Sequence, residues 1–581
     1  MKKNIFLLIF VVFLSGCNDD ILNKAPLDII SDKTVWEDPV LIRSYLTQCY
    51  GELGFYNDMP HLAARDFFAD MVTSGISDEA TSEWNSTAKS HWISIAGGQM
   101  EWWGYSTVRR LNLFIARAEE SSLTDKISLI AEARFLRAFA YFNMVKRYGG
   151  VPLILHEQQI DDPDEELYRK RDKEEDIYQF VIDEMNDIVS KQLLPESYAG
   201  NNVTRPNIYV ALALKSRAAM YAASIATWGK VQIDGLVGIP AEKANSYWQD
   251  SYDASKKILD DNKYALYDKQ PDDKVMNYRN IFLEKNHSEI IFVEAYNGIS
   301  GKGHSWDMWQ NPFSYNVWAG GQQNPVYLEM VESYGNIDGT SGVIDRDKIA
   351  SGYLWTMEEL FGKKDPRFHA SIYTHETSWM NGDVKLDFHN GVLTEEGVLT
   401  TEPYKEVLGR GRCFGRCSPF GILKYLDESW GIVQERYYSK TDWIVFRLSE
   451  IYLNLAEAAF ELGKQNEALD AVNIVRERAG MPKLQTINRD LIRAERKIEL
   501  AFEGNRYWDV RRWRTAVEDL TQSYRGLRYI LDYRTQKLQI QIVENIAGTP
   551  RPYFEEKHYY LPITNARTAN NPNLVENPDY K

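Results

Sequence analysis

The chain has 581 residues, 44% apolar and 26% charged, a globular balance that excludes a disordered or collagen-like polymer. Its 83 acidic and 67 basic side chains give a formal net charge of −16, which excludes nucleic-acid binding as the main task, because phosphate contacts need a basic surface. Four cysteines cannot staple a chain of this length as a disulfide scaffold.

Met1-Lys2-Lys3 is followed by an unbroken apolar run from Ile5 to Leu14. As a helix that run rises about 15 Å, half of the roughly 30 Å hydrocarbon core, so it reads as a signal-peptide segment and not a membrane span. Leu14-Ser15-Gly16-Cys17 follows at once and looks like a bacterial lipobox, which makes Cys17 the lipidated first residue of the mature chain. No later apolar stretch is long enough to span, so the acyl group is the expected membrane anchor. Residues 1–16 are thus expected to be a leader, and 17–581 a single domain.

Helical periodicity runs from Lys126 to Tyr148 and is stopped by Gly149, Gly150 and Pro152. Further helices are expected over Asp176 to Val189, Ile208 to Ala223, Tyr247 to Leu259, Trp443 to Leu462 and Asn466 to Ala479. In the last pair Ala456, Ala459, Gly463, Ala468, Val472 and Val475 carry the small-residue and turn spacing of a tetratricopeptide repeat. Helix pairs that cannot bury both faces alone stack into a curved array. From Tyr264 to Glu435 the helical pattern mostly fails, with short alternating runs such as Glu289 to Glu294, and long irregular segments of this kind usually carry function. Gln536 to Val543 reads as a strand. The expected fold is mainly α: about four tetratricopeptide-like hairpins, long irregular insertions and few short strands. Cys49 stands alone, whereas Cys413 and Cys417 are spaced for a local disulfide; a zinc site there lacks two further ligands.

Several runs together resemble the SusD/RagB-like outer-membrane lipoproteins. They are the lipobox, Ala131 to Ala138 continuing to Tyr148-Gly149-Gly150-Val151-Pro152-Leu153, Tyr247 to Ala254, Asp442 to Leu453, Glu495 to Asp509, and Asn571 to Leu574 with Asn577-Pro578. Asp579 departs from the pattern, where glycine is expected. The resemblance implies a non-catalytic, surface-exposed lipoprotein of the outer membrane that captures a nutrient oligomer and acts as the lid of a SusC-like TonB-dependent transporter. Arg134, Arg137, Arg447, Glu450, Glu457, Arg506 and Asp509 fall within its helices and read as scaffold ion pairs. A bound Ca²⁺ is compatible with the family, but no Asp-rich loop of EF-hand type is present, and no metal or cofactor is assigned.

Aromatic residues make up 13% of the chain, and a glycan binder needs exposed rings to stack on sugar faces with amides and carboxylates at their edges. Trp306, Trp309, Phe313, Tyr315 and Trp318 lie among glycines, with Asp307, Asn311, Asn316 and Gln322 as edge partners. Trp306, Trp309 and Phe313 also fit one apolar face of a short packed helix. Trp84 and Trp92, in a Ser/Thr-rich stretch, are further ligand candidates, whereas Trp102 and Trp103 precede a helix starting near Tyr105 and read as core. Arg410, Arg412 and Arg416 read as a solvated or transporter-facing loop. A glycoside hydrolase is the enzyme alternative, but with 83 acids a carboxylate pair at the right separation carries no information. The G-x-S-x-G, Walker and Rossmann patterns are absent. Peptide capture, as in RagB-like relatives, and a protein-binding tetratricopeptide scaffold are the remaining alternatives.

Overall fold

A computed structural model describes residues 32–53, 76–81, 93–94, 97–98, 100–200, 203–298, 303–315, 321–380, 382–413, 418–428, 438–547 and 554–580. Eight long helices form the scaffold: α1 (Pro39–Leu53), α2 (Tyr105–Glu120), α3 (Lys126–Tyr148), α4 (Glu174–Ser190), α5 (Ile208–Trp228), α6 (Ala244–Asp260), α7 (Leu448–Glu461) and α8 (Gln465–Arg478). Each packs on the one before it and the one after it, which makes four successive hairpins in one stack. The sequence explains the central position of α5. It is apolar almost all round and buried along most of its length, and alanines at 211, 213, 218, 219, 222 and 223 let its neighbours approach closely. Asn207 caps its start by accepting from the N–H groups of Tyr209 and Val210, and the Ser216 and Ser255 hydroxyls meet at 2.8 Å across the α5–α6 contact.

The α3 helix ends where the glycine pair requires. Gly149 takes φ 72°, and a Cβ on Gly150 would fall 1.9 Å from the Asp172 carbonyl oxygen, so no other residue fits that crossing.

Trp443–Arg447, expected as the first turn of a helix, is instead strand β2, antiparallel to strand β1 (Ile290–Glu294), and α7 begins only at Leu448. The β-branched and aromatic run Ile444-Val445-Phe446 suits a strand, and a continuous apolar run cannot be told from a buried helix by periodicity alone. This pairing clamps together the two ends of the irregular insertion. The insertion is also less irregular than expected, since Lys274–Leu283 is a helix capped by Asp273. Near the C-terminus β3 (Gly526–Asp532) and β4 (Lys537–Val543) form a hairpin at the centre of a five-stranded sheet, edged by short strands at 354–355 on one side and 392–393 and 399–400 on the other.

A buried ion cluster ties insertion to scaffold. Arg447 contacts Glu289, Glu499 and Glu503 at 2.8, 2.7 and 2.8 Å. Arg478 reaches Glu289 and Glu499, and from the insertion Arg367 reaches Glu495 and Glu499 while Lys424 reaches Glu503 at 2.9 Å. Burial alone would raise the Glu499 carboxyl, but Arg478, Arg447 and Arg367 together hold it far below the usual range. A second cluster joins Arg496, Asp509, Arg512 and Glu457. The expected scaffold roles of Arg134, Arg137, Arg447, Glu450, Glu457, Arg506 and Asp509 are what the structure places there.

Candidate functional site

Within the clamped insertion, a short helix Trp306–Gln310 and a single 3₁₀ turn Phe313–Tyr315 carry the central aromatic group. His304 fixes the start of the helix. Its Nδ1 accepts from the Trp306 N–H (3.1 Å) and its Nε2–H donates to the Thr441 carbonyl (3.0 Å), which defines a neutral ring. Burial drives its pKa well below the ordinary histidine value.

Trp306 is 0% exposed and Trp309 5% exposed, so neither turns a ring face to solvent. The expectation of open stacking platforms at these two positions is corrected, and they form the packed face of a short helix. The Trp306 indole N–H donates to the Lys424 carbonyl at 3.1 Å, and Lys424 Nζ in turn belongs to the buried ion cluster. The tryptophan therefore links the site to the scaffold. Asp307, expected at a ligand edge, is also 0% exposed; its Oδ1 accepts from the Asp427 N–H at 3.0 Å, and burial pushes its carboxyl up to about 7. It closes the loop at 427 onto the helix.

Tyr315 is half-buried, with its ring 6.4 Å from that of the buried Trp379. Around the same turn the structure gathers amides. Gln310 Nε2 donates to Asn324 Oδ1 (2.8 Å), and Gln322 Nε2 donates to the Ser418 and Phe420 carbonyls. Gln310 Oε1, Asn311 Nδ2, Gln322 Oε1 and both amide atoms of Gln323 are buried with no hydrogen-bond partner among the described residues. Buried polar atoms in that state are uncommon, and here they cluster beneath the aromatic turn. Gln310 and Gln323 were not among the expected site residues; the amide runs Gln310-Asn311 and Gln322-Gln323-Asn324 on either side of the aromatic stretch were the available signal. Trp84, Trp92, Asn316 and Trp318, with Cys17, Arg416 and Cys417, lie outside the described residues.

A histidine pins the neighbouring loop. His389 donates from Nδ1 to Asp387 Oδ1 (2.6 Å) and from Nε2 to the Leu408 carbonyl (2.8 Å), two acceptors that only the doubly protonated ring satisfies. Burial alone would lower its pKa; the Asp387 carboxylate and the Leu408 carbonyl outweigh that and raise it. The contribution of the charged ring to stability is therefore complete below the unfolded value near 6.5 and is lost as pH rises through the raised folded value. His389→Gln is expected to cost on the order of 2 kcal/mol at pH 6 and markedly less at pH 9, read from urea midpoints at the two pH values. An equal cost at both would contradict the charged assignment.

A family model described as the SusD family matches residues 288–580, just over half of the chain. The chain belongs to the SusD family. A second model, described as starch-binding associating with outer membrane, matches residues 27–220. A SusD-like protein of Bacteroides ovatus is 24% identical over 552 residues, covering 90% of this chain and 85% of that protein. The starch-binding protein SusD of Bacteroides thetaiotaomicron is 22% identical over 568 residues, covering 91% and 87%. Among solved SusD-like structures, one from Bacteroides fragilis superposes with a TM-score of 0.72 at 25% identity, over 96% of this chain and all of that one. A SusD-like carbohydrate-binding protein from the same species gives a TM-score of 0.70 at 22% identity, covering 93% and 100%. The mainly helical fold with few short strands is thus the SusD fold.

Proposed function

We propose that this SusD-family protein is an outer-membrane lipoprotein, acylated at Cys17, that captures an oligosaccharide and passes it to a SusC-like TonB-dependent transporter whose lid it forms. The observation that carries the reading is a partly open tyrosine held at the edge of a clamped, amide-rich insertion, on a scaffold whose relatives are named for starch and carbohydrate binding. Pyranose rings need that pairing of a flat apolar face with edge donors and acceptors. Tyr315 is the described contact in this reading, Asn316, Trp318, Trp84 and Trp92 remain ligand candidates by sequence alone, and Trp306, Trp309 and Asp307 serve as support. Among the described residues no helix is long and apolar enough to cross a membrane, which is compatible with attachment through the acyl group. Capture makes and breaks no bond, so no residue is given a catalytic role.

Calorimetry of the mature chain with Cys17 replaced by Ser, against panels of glycans and of peptides, tests the reading. Binding to a glycan is expected, weakened about tenfold by Tyr315→Ala, a loss of roughly 1.4 kcal/mol. Binding confined to peptides, or release of reducing ends from the bound glycan, would overturn it.

A further inference from the structure

We infer a second carbohydrate subsite on the helical scaffold, apart from the insertion, in a cleft whose floor is Trp102. This inference rests on the glycan-binding reading and adds to it a place that takes a neutral hexopyranose unit.

The cleft has a volume of about 450 Å³, within the range of roughly 300–1,000 Å³ typical of small-molecule sites. Three distant segments build it: Glu52 near the end of α1, the stretch from Glu101 into α2 as far as Arg110, and Arg567 from the C-terminal region. None of its lining residues comes from the insertion between 264 and 435. Its floor is fixed from both sides of the backbone. The Trp102 N–H donates to the Tyr148 hydroxyl at 2.9 Å. A Cβ on Gly104 would lie 2.2 Å from the far end of the Trp102 ring, so the indole rests directly against the glycine backbone and only glycine leaves room for it.

The neighbouring tryptophan shows the contrast. Trp103 is consumed by packing: its ring meets Tyr148 edge-on at 5.1 Å and Tyr105 at 5.1 Å, and the Arg567 guanidinium sits 4.6 Å over it. Trp102 is half-buried and packs in part against the apolar core and Gly104, but no aromatic ring, cation or indole hydrogen bond engages it among the described residues. A ring pinned on one side by the core, and lining an open cleft without an aromatic or cationic neighbour, offers a stacking surface.

The walls supply the polar edge. Arg110 Nη1 and Glu52 Oε1 stand 3.1 Å apart on one side. On the other, Arg567 Nη1 and Glu101 Oε1 are 3.4 Å apart with both atoms buried, so the more exposed Arg110–Glu52 pair is the one that reaches the cleft. Guanidinium and carboxylate groups side by side offer a donor fork and an acceptor to vicinal hydroxyls, and Ser106 adds a hydroxyl at the rim. Two arginines balance two glutamates, so the lining carries no net charge. That selects a neutral sugar, since a uronic acid or a phosphate would need uncompensated cations.

The test uses the mature full chain and saturation-transfer NMR with maltotriose, laminaritriose and trigalacturonate as probes. Wild type, Trp102→Ala, Trp102→Tyr, Arg110→Gln and Tyr315→Ala are compared, with far-UV circular dichroism to confirm folding. Arg110 is a partly exposed side chain, so its variant keeps the fold even where a tryptophan change does not. The expected result is transfer to a neutral trisaccharide that persists in Tyr315→Ala, falls at least fivefold in Trp102→Ala and Arg110→Gln, and is largely kept in Trp102→Tyr. Trigalacturonate is expected to show less transfer than either neutral probe. Abolition of all transfer by Tyr315→Ala, with Trp102→Ala and Arg110→Gln unchanged, would overturn the second site and leave the first intact. Absence of transfer from every glycan would remove the glycan reading and this inference with it.

Discussion

Arg447→Met is expected to destabilise the protein by about 3–5 kcal/mol, the cost of removing one partner from a fully buried ion cluster. Arg447 is 1% exposed and faces carboxylates from two distant parts of the chain: Glu289 just ahead of β1, and Glu499 and Glu503 beyond the last long helix of the scaffold. Methionine fills much of the volume but leaves Glu503 with Lys424, Glu289 with Arg478, and Glu499 with Arg478 and Arg367. The cost therefore comes mainly from buried charge left short of compensation, and less from the lost contacts. Glu499→Gln is expected to cost about as much as Arg447→Met, because both carboxylate oxygens accept from guanidinium groups and the amide nitrogen that replaces one of them would meet a donor. The pH dependence has the sign of a depressed carboxylate. The stability Glu499 supplies is present above its unfolded pKa and is lost as pH falls through the lower folded value. Urea midpoints at neutral pH measure both variants, and a shift of the Arg447 variant below about 1 kcal/mol would show that the cluster relaxes around the gap. Because Arg367 and Lys424 belong to the insertion, amide exchange at 420–428 is expected to rise in step with the loss.

The scaffold was legible because its signals are local. The α3 helix runs from Lys126 to Tyr148 as the periodicity and the glycine pair indicate, α4, α6 and α8 begin and end within three residues of expectation, and α5 starts as expected but continues past Ala223 to Trp228. Where the deciding partner is distant, the reading failed. β2 is a strand because β1 lies about 150 residues earlier and offers a ladder. The 274–283 helix buries Tyr278, Ile281 and Phe282 at helical spacing, but over only 10 residues and with the polar Asn277 beside them, so its stripe is too short to stand out. Asn277 is held there by hydrogen bonds to Tyr267 and Gln270, contacts that no spacing rule anticipates. The candidate site divides in the same way. Its aromatic and amide composition was visible, but composition cannot say which ring is covered. Trp102 reads as core in the sequence, and its half-open place in a cleft depends on a glycine two residues on and on walls contributed from positions 52 and 567.

Trp306→Ala is expected to cost about 3–5 kcal/mol, as for other large aromatic side chains removed from a packed interior. The ring is 0% exposed, and its N–H satisfies a carbonyl of Lys424, the residue whose ammonium enters the ion cluster. Truncation leaves a cavity and an unpaired buried carbonyl, and it severs the link between the 306–310 helix and the scaffold. Trp306→Phe separates these effects: most of the packing stays, the hydrogen bond is lost, and the expected cost falls to roughly 1–3 kcal/mol. Tyr315→Ala, at a half-buried position, is expected to move the thermal midpoint far less while weakening glycan binding. Loss of binding in Trp306→Ala therefore counts as evidence for ring contact only if the midpoint is unchanged. A Trp306→Ala protein that melts like wild type but no longer binds glycan would mean that the ring is uncovered when ligand arrives, and its packed role would have to be withdrawn.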